Sequence, residues 1–231
     1  MKNNVKAIVE IPFKIEAESL KAKMRIKPGS DYDKSFDELV AQAQEIGRPK
    51  ALYKVAYIDG KDADSVTMDG VTFTSVVMRK NLEDVNRVFP YVTTCGREVL
   101  GIEYDNDDLL KKYWLSVIRM DLLRISQRYL LKEIEKNYQM ENLSSMNPGS
   151  GEMSIWPIEQ QQELFSVFGD VQGMIGVELK PSCMMVPDMS VSGIIFATER
   201  SYLNCQLCQR ANCPDRTAPF KLELWNEIHS S

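Results

Sequence analysis

Apolar positions along the chain follow two periods, and the places where one gives way to the other mark the elements. Residues 7–12 (AIVEIP) form a short β-rich stretch, residues 18–27 carry mixed charge, and Pro28-Gly29-Ser30 makes a turn. Phe36, Leu39, Val40 and Ala43 share a helical face, which predicts a helix over 32–46 stopped by Gly47 and Pro49. Residues 51–58 (ALYKVAYI) read as a strand. Val66-Thr67-Met68 and Val71-Thr72-Phe73 flank Asp69-Gly70, the strongest local hairpin signal in the chain.

The longest helical pattern covers 107–138, with Leu110, Trp114, Val117, Ile118, Leu122, Ile125, Tyr129 and Leu130 in register. Globular helices usually run roughly 8–20 residues, so a bend or break is expected. Asp121 lies between Val117 and Ile125, where drift of the stripe leaves it solvated. The segment LSSMNPGSGEMS then reads as a loop, and Trp156-Pro157 opens a short helix to Phe168 closed by Gly169. Strands are predicted over 175–179, 184–186 and 190–197, separated by turns at Pro181 and Pro187, and a short amphipathic piece covers 220–228. Strands and helices intermix without βα alternation, so the fold class is α+β, with a mixed or antiparallel sheet.

Composition narrows the function. The 231 residues hold 28 Lys+Arg against 33 Asp+Glu, a net charge of −5, which argues against nucleic acid as a partner. Apolar runs fall short of the roughly 20 residues that span a bilayer, so no membrane partner is expected. The start MKNNVKAIVE lacks the apolar core of an export signal, so a cytoplasmic location is expected. The single histidine, His229, disfavours any mechanism that needs an internal imidazole. The expected organisation is one α+β domain over 1–199 and a cysteine-rich, metal-binding tail over 200–231.

Five cysteines, Cys95, Cys183, Cys205, Cys208 and Cys213, carry the most distinctive chemistry. Three of them form C-x2-C-x4-C, and two thiolates separated by two residues can reach one metal from a single turn. The fourth ligand is open among Cys183, Cys95 and His229. An all-thiolate set suits an iron–sulfur cluster or zinc, and Cys3His suits structural zinc. Zinc sites usually show two Cys or His pairs. One compact triplet without a second pair favours a [4Fe-4S] cluster on Cys205, Cys208, Cys213 and Cys183, with zinc as the alternative. Arg216, with Arg210 as a second candidate, is expected to offset thiolate charge.

Residues 144–193 carry an ordered series: Asn147-Pro148-Gly149-Ser150-Gly151, Trp156-Pro157 with Gln160 and Leu164-Phe165, Ile175-Gly176-Val177 with Leu179, Pro181-Ser182, Met184-Met185-Val186-Pro187, and Ser190-Val191-Ser192-Gly193. Upstream stands Thr93-Thr94-Cys95-Gly96-Arg97-Glu98. Together they resemble the activation domain of vitamin B12-dependent methionine synthase, over about 66–193, and more narrowly its free-standing relatives. The cysteine tail is expected to have no counterpart in that domain, which implies a specialised role with its own redox centre.

That resemblance implies a role in a corrinoid-dependent methyl-transfer system, and S-adenosylmethionine as the family's ligand. Asn147, Pro148, Gly149, Ser150, Gly151 and Trp156 are then the cofactor-binding candidates, the loop through its backbone and Trp156 by stacking on a planar ring. Ser145 and Ser150 stand where the family's loop has Arg and Tyr. Loss of the Arg removes the planar cation that pairs with a carboxylate. The Asp-x-His-x-x-Gly corrinoid signature is absent, so the corrinoid belongs on a partner protein. The expected activity is support of that partner's reductive activation or methyl transfer, with an adaptor holding structural zinc as the alternative.

Overall fold

Strand β6 (Arg87–Thr94) organises the molecule. One of its edges pairs with β10 (Ser190–Ala197), from Ser190 opposite Thr94 to Ile195 opposite Phe89. The other edge is shared, its C-terminal half pairing with β2 (Lys50–Lys54) and its N-terminal end with β3 (Ala56–Lys61). Beyond these lie β1 (Val5–Ile8) on β2, β7 (Leu143–Met146) on β10, and the hairpin β4 (Ser65–Met68) and β5 (Val71–Thr74) on β3. A small separate hairpin joins β8 (Glu178–Leu179) to β9 (Met185–Val186). This computed structural model describes residues 4–105, 107–151, 155–198, 202–210, 212–213 and 216–229, excluding the side chains of 227–229. Among the described residues every strand pairing is antiparallel, so the architecture is α+β as expected.

Alternation along β6 builds two cores. Val88 and Val92 join Leu52, Met146, Ile194 and Phe196 on one face, under Phe73, Trp156, Phe165 and Phe168. Phe89 and Tyr91 join Ala51, Tyr53 and Ile195 on the other, against Leu130 and Ile134 of helix α4 (Leu109–Tyr138). Nearer its start, α4 packs on α2 (Asp31–Ile46), where Phe36 meets Trp114 edge-on at 5.6 Å. The sheet therefore has helix α4 on one face, and on the other a layer of short helices: α3 (Val76–Asn81), α5 (Gln161–Ser166) and α6 (Val171–Ile175).

The predicted 32–46 helix is α2. Ser30 caps it by accepting the Asp33 N–H at 3.3 Å, and the Gly47 N–H closes it on the Ala43 carbonyl at 2.9 Å. At Asp69 (φ 48°) and Gly70 (φ 77°) the chain takes the left-handed pair that a two-residue hairpin turn requires. The residues at 18–27 hold α1 (Ala17–Met24), and the terminal amphipathic piece is α7 (Leu222–His229).

Three expectations change. Helix α4 runs unbroken for 30 residues, because it has no Gly or Pro and its stripe from Trp114 to Ile134 is buried against two successive cores. The stretch read as a loop from 142 begins with strand β7, whose Ser144 and Ser145 pair with Phe196 and Ile195 of β10. Ile175 ends helix α6 at Gly176 (φ 77°), so the strand there is confined to β8. Among the described residues no helix is long and apolar enough to cross a membrane.

Candidate functional site

The glycine loop leaves the end of β7 at Met146 and is fixed by its first residue. The Asn147 amide donates to the Tyr91 hydroxyl at 2.6 Å and to the Ser192 carbonyl at 2.8 Å, while its oxygen accepts from Asn204 at 3.0 Å. Burial pushes the Tyr91 phenol up to about 12, with hydrogen bonds from Asn147 and Ser145 opposing it, so Tyr91 stays neutral at this post. Gly193 in β10 makes the approach feasible: a Cβ there would sit 2.2 Å from the Met146 carbonyl oxygen and 2.5 Å from the Asn147 amide nitrogen.

Pro148 is buried, and the chain then surfaces at Gly149 (φ 70°) and Gly151 (φ 91°), with Ser150 half-buried between them. The Gly149 N–H donates to the Trp156 carbonyl at 2.8 Å and the Ser150 N–H to the Asn147 carbonyl at 3.2 Å, so the loop is self-bonded. Trp156 is 0% exposed, edge-on to Phe73 at 5.8 Å. It serves as a core residue, and its buried indole N–H finds no partner among the described residues. The stacking role expected of Trp156 is therefore corrected: both ring faces are inside the protein. Ser145, in the family's Arg position, lies in β7 opposite Ile195.

The cysteine segment is seated on this loop. The Tyr202 N–H points at the Ser144 hydroxyl at 3.4 Å, Asn204 holds Asn147, and the Asn204 carbonyl oxygen lies 3.9 Å from where a Gly151 Cβ would stand. Tyr202 and Leu207 are members of the core that contains Trp156, with Leu224 and Trp225 packed against it. Asn204–Leu207 forms a 3-10 turn presenting Cys205.

Cys205, Cys208 and Cys213 are all half-buried free thiols. The Cys205 sulfur accepts both the N–H and the hydroxyl of Thr217, each at 3.4 Å. Burial works against ionising this thiol, but those bonds, the Ala218 N–H and the Arg216 charge outweigh it and leave its pKa below the ordinary value. Among the described residues Arg216 makes no direct bond to sulfur. Its two terminal nitrogens donate to the carbonyls of Cys205 (3.1 Å), Ala218 (3.0 Å), Cys208 (2.9 Å) and Arg210 (2.6 Å), so it ties the segment into a closed loop. Beside it, an open groove of about 680 Å³ is lined by Phe220, Leu222, Trp225 and the Gln209 and Asn226 amides.

Among the described residues no three His, Cys, Asp or Glu side chains are gathered closely enough to hold a metal. The triplet shares one loop without being preassembled. The Cys95 alternative for the fourth ligand is corrected, since Cys95 is 0% exposed in the α2–α4 core and burial pushes its thiol up to about 12. Cys183 occupies the turn between β8 and β9 at φ 63°, its carbonyl accepting from buried Gln161 at 2.9 Å and its sulfur 3.9 Å from the Gln162 amide. The side chain of His229 lies outside the described residues. Sequence reasoning missed Asn204, Thr217 and Tyr91; the adjacency of Asn204 to Cys205 was the one available signal.

The comparisons bear out the family resemblance. A solved structure, the crystal structure of the MetH reactivation domain bound to AdoHcy, shares this fold with a TM-score of 0.59 and 14% identity, covering 86% of this chain and 80% of that one. Residues 129–218 match the sequence model described as the vitamin B12 dependent methionine synthase activation domain. The match begins inside α4 and runs through Cys205, Cys208 and Cys213, further toward the C-terminus than the 66–193 span read from the motifs. No curated protein matches the chain.

Proposed function

We propose that the protein is an accessory component of a corrinoid-dependent methyl-transfer system, docking on a corrinoid-carrying partner and supporting its reductive activation or methyl transfer. The observation that carries this is the continuous match over 129–218, which takes in both the glycine loop and the cysteine segment seated on it. The one histidine, His229, does not stand in the Asp-x-His-x-x-Gly signature of a cobalt ligand, so the corrinoid is the partner's. Cys205, Cys208, Cys213 and Cys183 are the proposed ligands of a [4Fe-4S] cluster, which would supply one-electron reduction at the docking face. Support for a metal lies in the donor set: one sulfur already receives two hydrogen bonds, and the backbone around it is pinned by Arg216.

The test is anaerobic purification followed by iron, sulfide and zinc analysis and a visible spectrum. A brown protein whose absorption bleaches with dithionite, and which retains a corrinoid protein from the same extract, is the expected outcome. A colourless protein free of iron would sink the cluster. Stoichiometric zinc with corrinoid-protein capture would instead favour the adaptor reading, which two observations support: Ser145 and Ser150 replace the family's Arg and Tyr, and neither Asn147 nor Trp156 offers a side chain to a ligand. The backbone at Gly149 to Gly151 is the proposed contact for S-adenosylmethionine. Calorimetry with that compound tests it, and absence of heat at millimolar ligand would remove it.

A further inference from the structure

We propose that the exposed apolar face formed by the starts of α2 and α4 is a self-association surface, on which a second copy of this chain docks across a two-fold axis. None of its residues belongs to the glycine loop or the cysteine segment.

Four of the nine large apolar side chains exposed among the described residues gather on this face: Leu109 (74%), Leu110, Tyr113 (54%) and Tyr32 (60%). Leu109 and Tyr113 are one helical turn apart, as are Leu110 and Trp114, so they stack along one side of α4. Tyr32 carries the patch onto α2, its ring edge-on to Trp114 at 6.2 Å. Phe36 and Trp114 fill the core between the two helices, and Leu109, Leu110 and Tyr113 stand outside it. Single apolar side chains are ordinary on a protein surface, whereas a contiguous group marks an interaction face.

The charges around the patch select the occupant. Asp108 is engaged as the cap of α4, accepting the Lys111 N–H at 2.9 Å, with the Lys111 ammonium 4.0 Å away. Asp107 and Lys112 are both exposed and form no ion pair among the described residues. They carry opposite signs on either side of Leu109 and Leu110 in the sequence. An antiparallel approach of two copies about an axis at Leu109–Leu110 sets Asp107 of each opposite Lys112 of the other. One contact of opposite charge is then made twice, with the leucines between. On α2, Asp31 and Lys34 are likewise exposed on either side of Tyr32 in the sequence. A rim of both signs is complementary to itself under a two-fold axis, as an isologous interface requires. A partner steered by charge of one sign would leave like charges opposed along part of that rim. The patch is small, so the association belongs to the weak, reversible class, and the exposed ion pairs tune it rather than drive it.

Sedimentation velocity on the full-length protein tests this, at concentrations rising to about 1 mM so that even a weak association registers. The expected result is a monomer–dimer equilibrium for the wild type and a monomer throughout for Leu109→Asp, which should melt as the wild type does in dilute solution because Leu109 is on the surface. Asp107→Lys and Lys112→Glu each set like charges together twice, and each should weaken dimerisation by roughly 2- to 30-fold. The variant carrying both should recover wild-type affinity. A wild type that stays monomeric over the whole range overturns the proposal, as does a Leu109→Asp protein that dimerises like the wild type. A double variant no tighter than the single ones overturns the two-fold arrangement that the charges select. A monomeric wild type that retains a different protein, lost in Leu109→Asp, assigns the face to that partner and overturns self-association.

Discussion

The side chain of Asn147 commits both amide hydrogens to Tyr91 and Ser192 and its oxygen to Asn204, so a residue that reads as a ligand contact is in fact the joint between loop, sheet and tail. The joint closes only because position 193 has no side chain. Gly193→Ala would drive a methyl into the Met146 carbonyl, and overpacking of this kind costs about 1–3 kcal/mol. For a chain of this size that lowers the melting temperature by roughly 2–4 °C per kcal/mol, readable by calorimetry. The glycines were legible in the sequence as close-approach positions, but what approaches them was not. Gly149 and Gly151 are exposed, but a Cβ on either would run into Ile158 or Ile155, so the close approach that requires glycine there is to protein side chains. The stacking role of Trp156 comes from the resemblance, while its setting beside Pro157 fits a helix start; its burial is against Phe73, 83 positions upstream.

Among the elements, α1 and α2 are joined by a charged contact that the hydrophobic pattern could not show. Lys21, 5% exposed, reaches Asp33 at 2.6 Å, Asp37 at 2.7 Å and Glu18 at 3.0 Å. Its hydrogen bonds to Asp33 and Asp37 raise its pKa, and Asp33 is lowered in return. A lowered carboxylate stabilises the fold above its unfolded pKa of about 3.9 and loses that contribution as pH falls through its folded value. A raised lysine stabilises it below about 10.4 and loses that contribution as pH rises through its folded value. Lys21→Met should therefore lower the melting temperature by roughly 3–6 °C across the neutral range. The gap from wild type should narrow toward strong acid and strong alkali; a gap that stays constant across pH would show the loss to be packing alone.

Element boundaries were legible where local chemistry sets them. Ser30 and Gly47 frame α2, and Asp69-Gly70 turns β4 into β5. The central strand β6 was invisible as a strand. Both its faces are buried, which erases the alternation, and Pro90 stands opposite Ile194 in its middle, where a proline argues against a central strand.

For the molecule as a whole, the cysteine segment is packed as part of the main core. Tyr202 and Leu207 lie in the cluster that holds Trp156, Phe165 and Phe168, and the buried Tyr202 hydroxyl has no partner among the described residues. A version ending at Thr198 would uncover that cluster. It should lose cooperative unfolding in urea and bind a hydrophobic dye; a truncated protein that melts like the full chain would show the segment to be an independent appendage. Composition and spacing placed the thiols in one short stretch. They could not show that this stretch docks on the glycine loop, because the docking residues Asn147 and Asn204 are 57 positions apart and neither carries a distinctive signature.

The position of β6 also sets the order in which the chain can acquire its sheet. Two edges must be satisfied, and the partner for one of them, β10, follows late: Ser190 is 96 residues beyond Thr94. During synthesis β1 to β6 can pair while a row of β6 amides and carbonyls, flanked by Val88 and Val92, waits uncovered. Non-local pairing of this kind slows folding, and an open apolar strand edge is a template for the wrong neighbour. The interval between the emergence of β6 and that of β10 is thus the period in which a nascent chain of this protein is most exposed to aggregation and most in need of a chaperone.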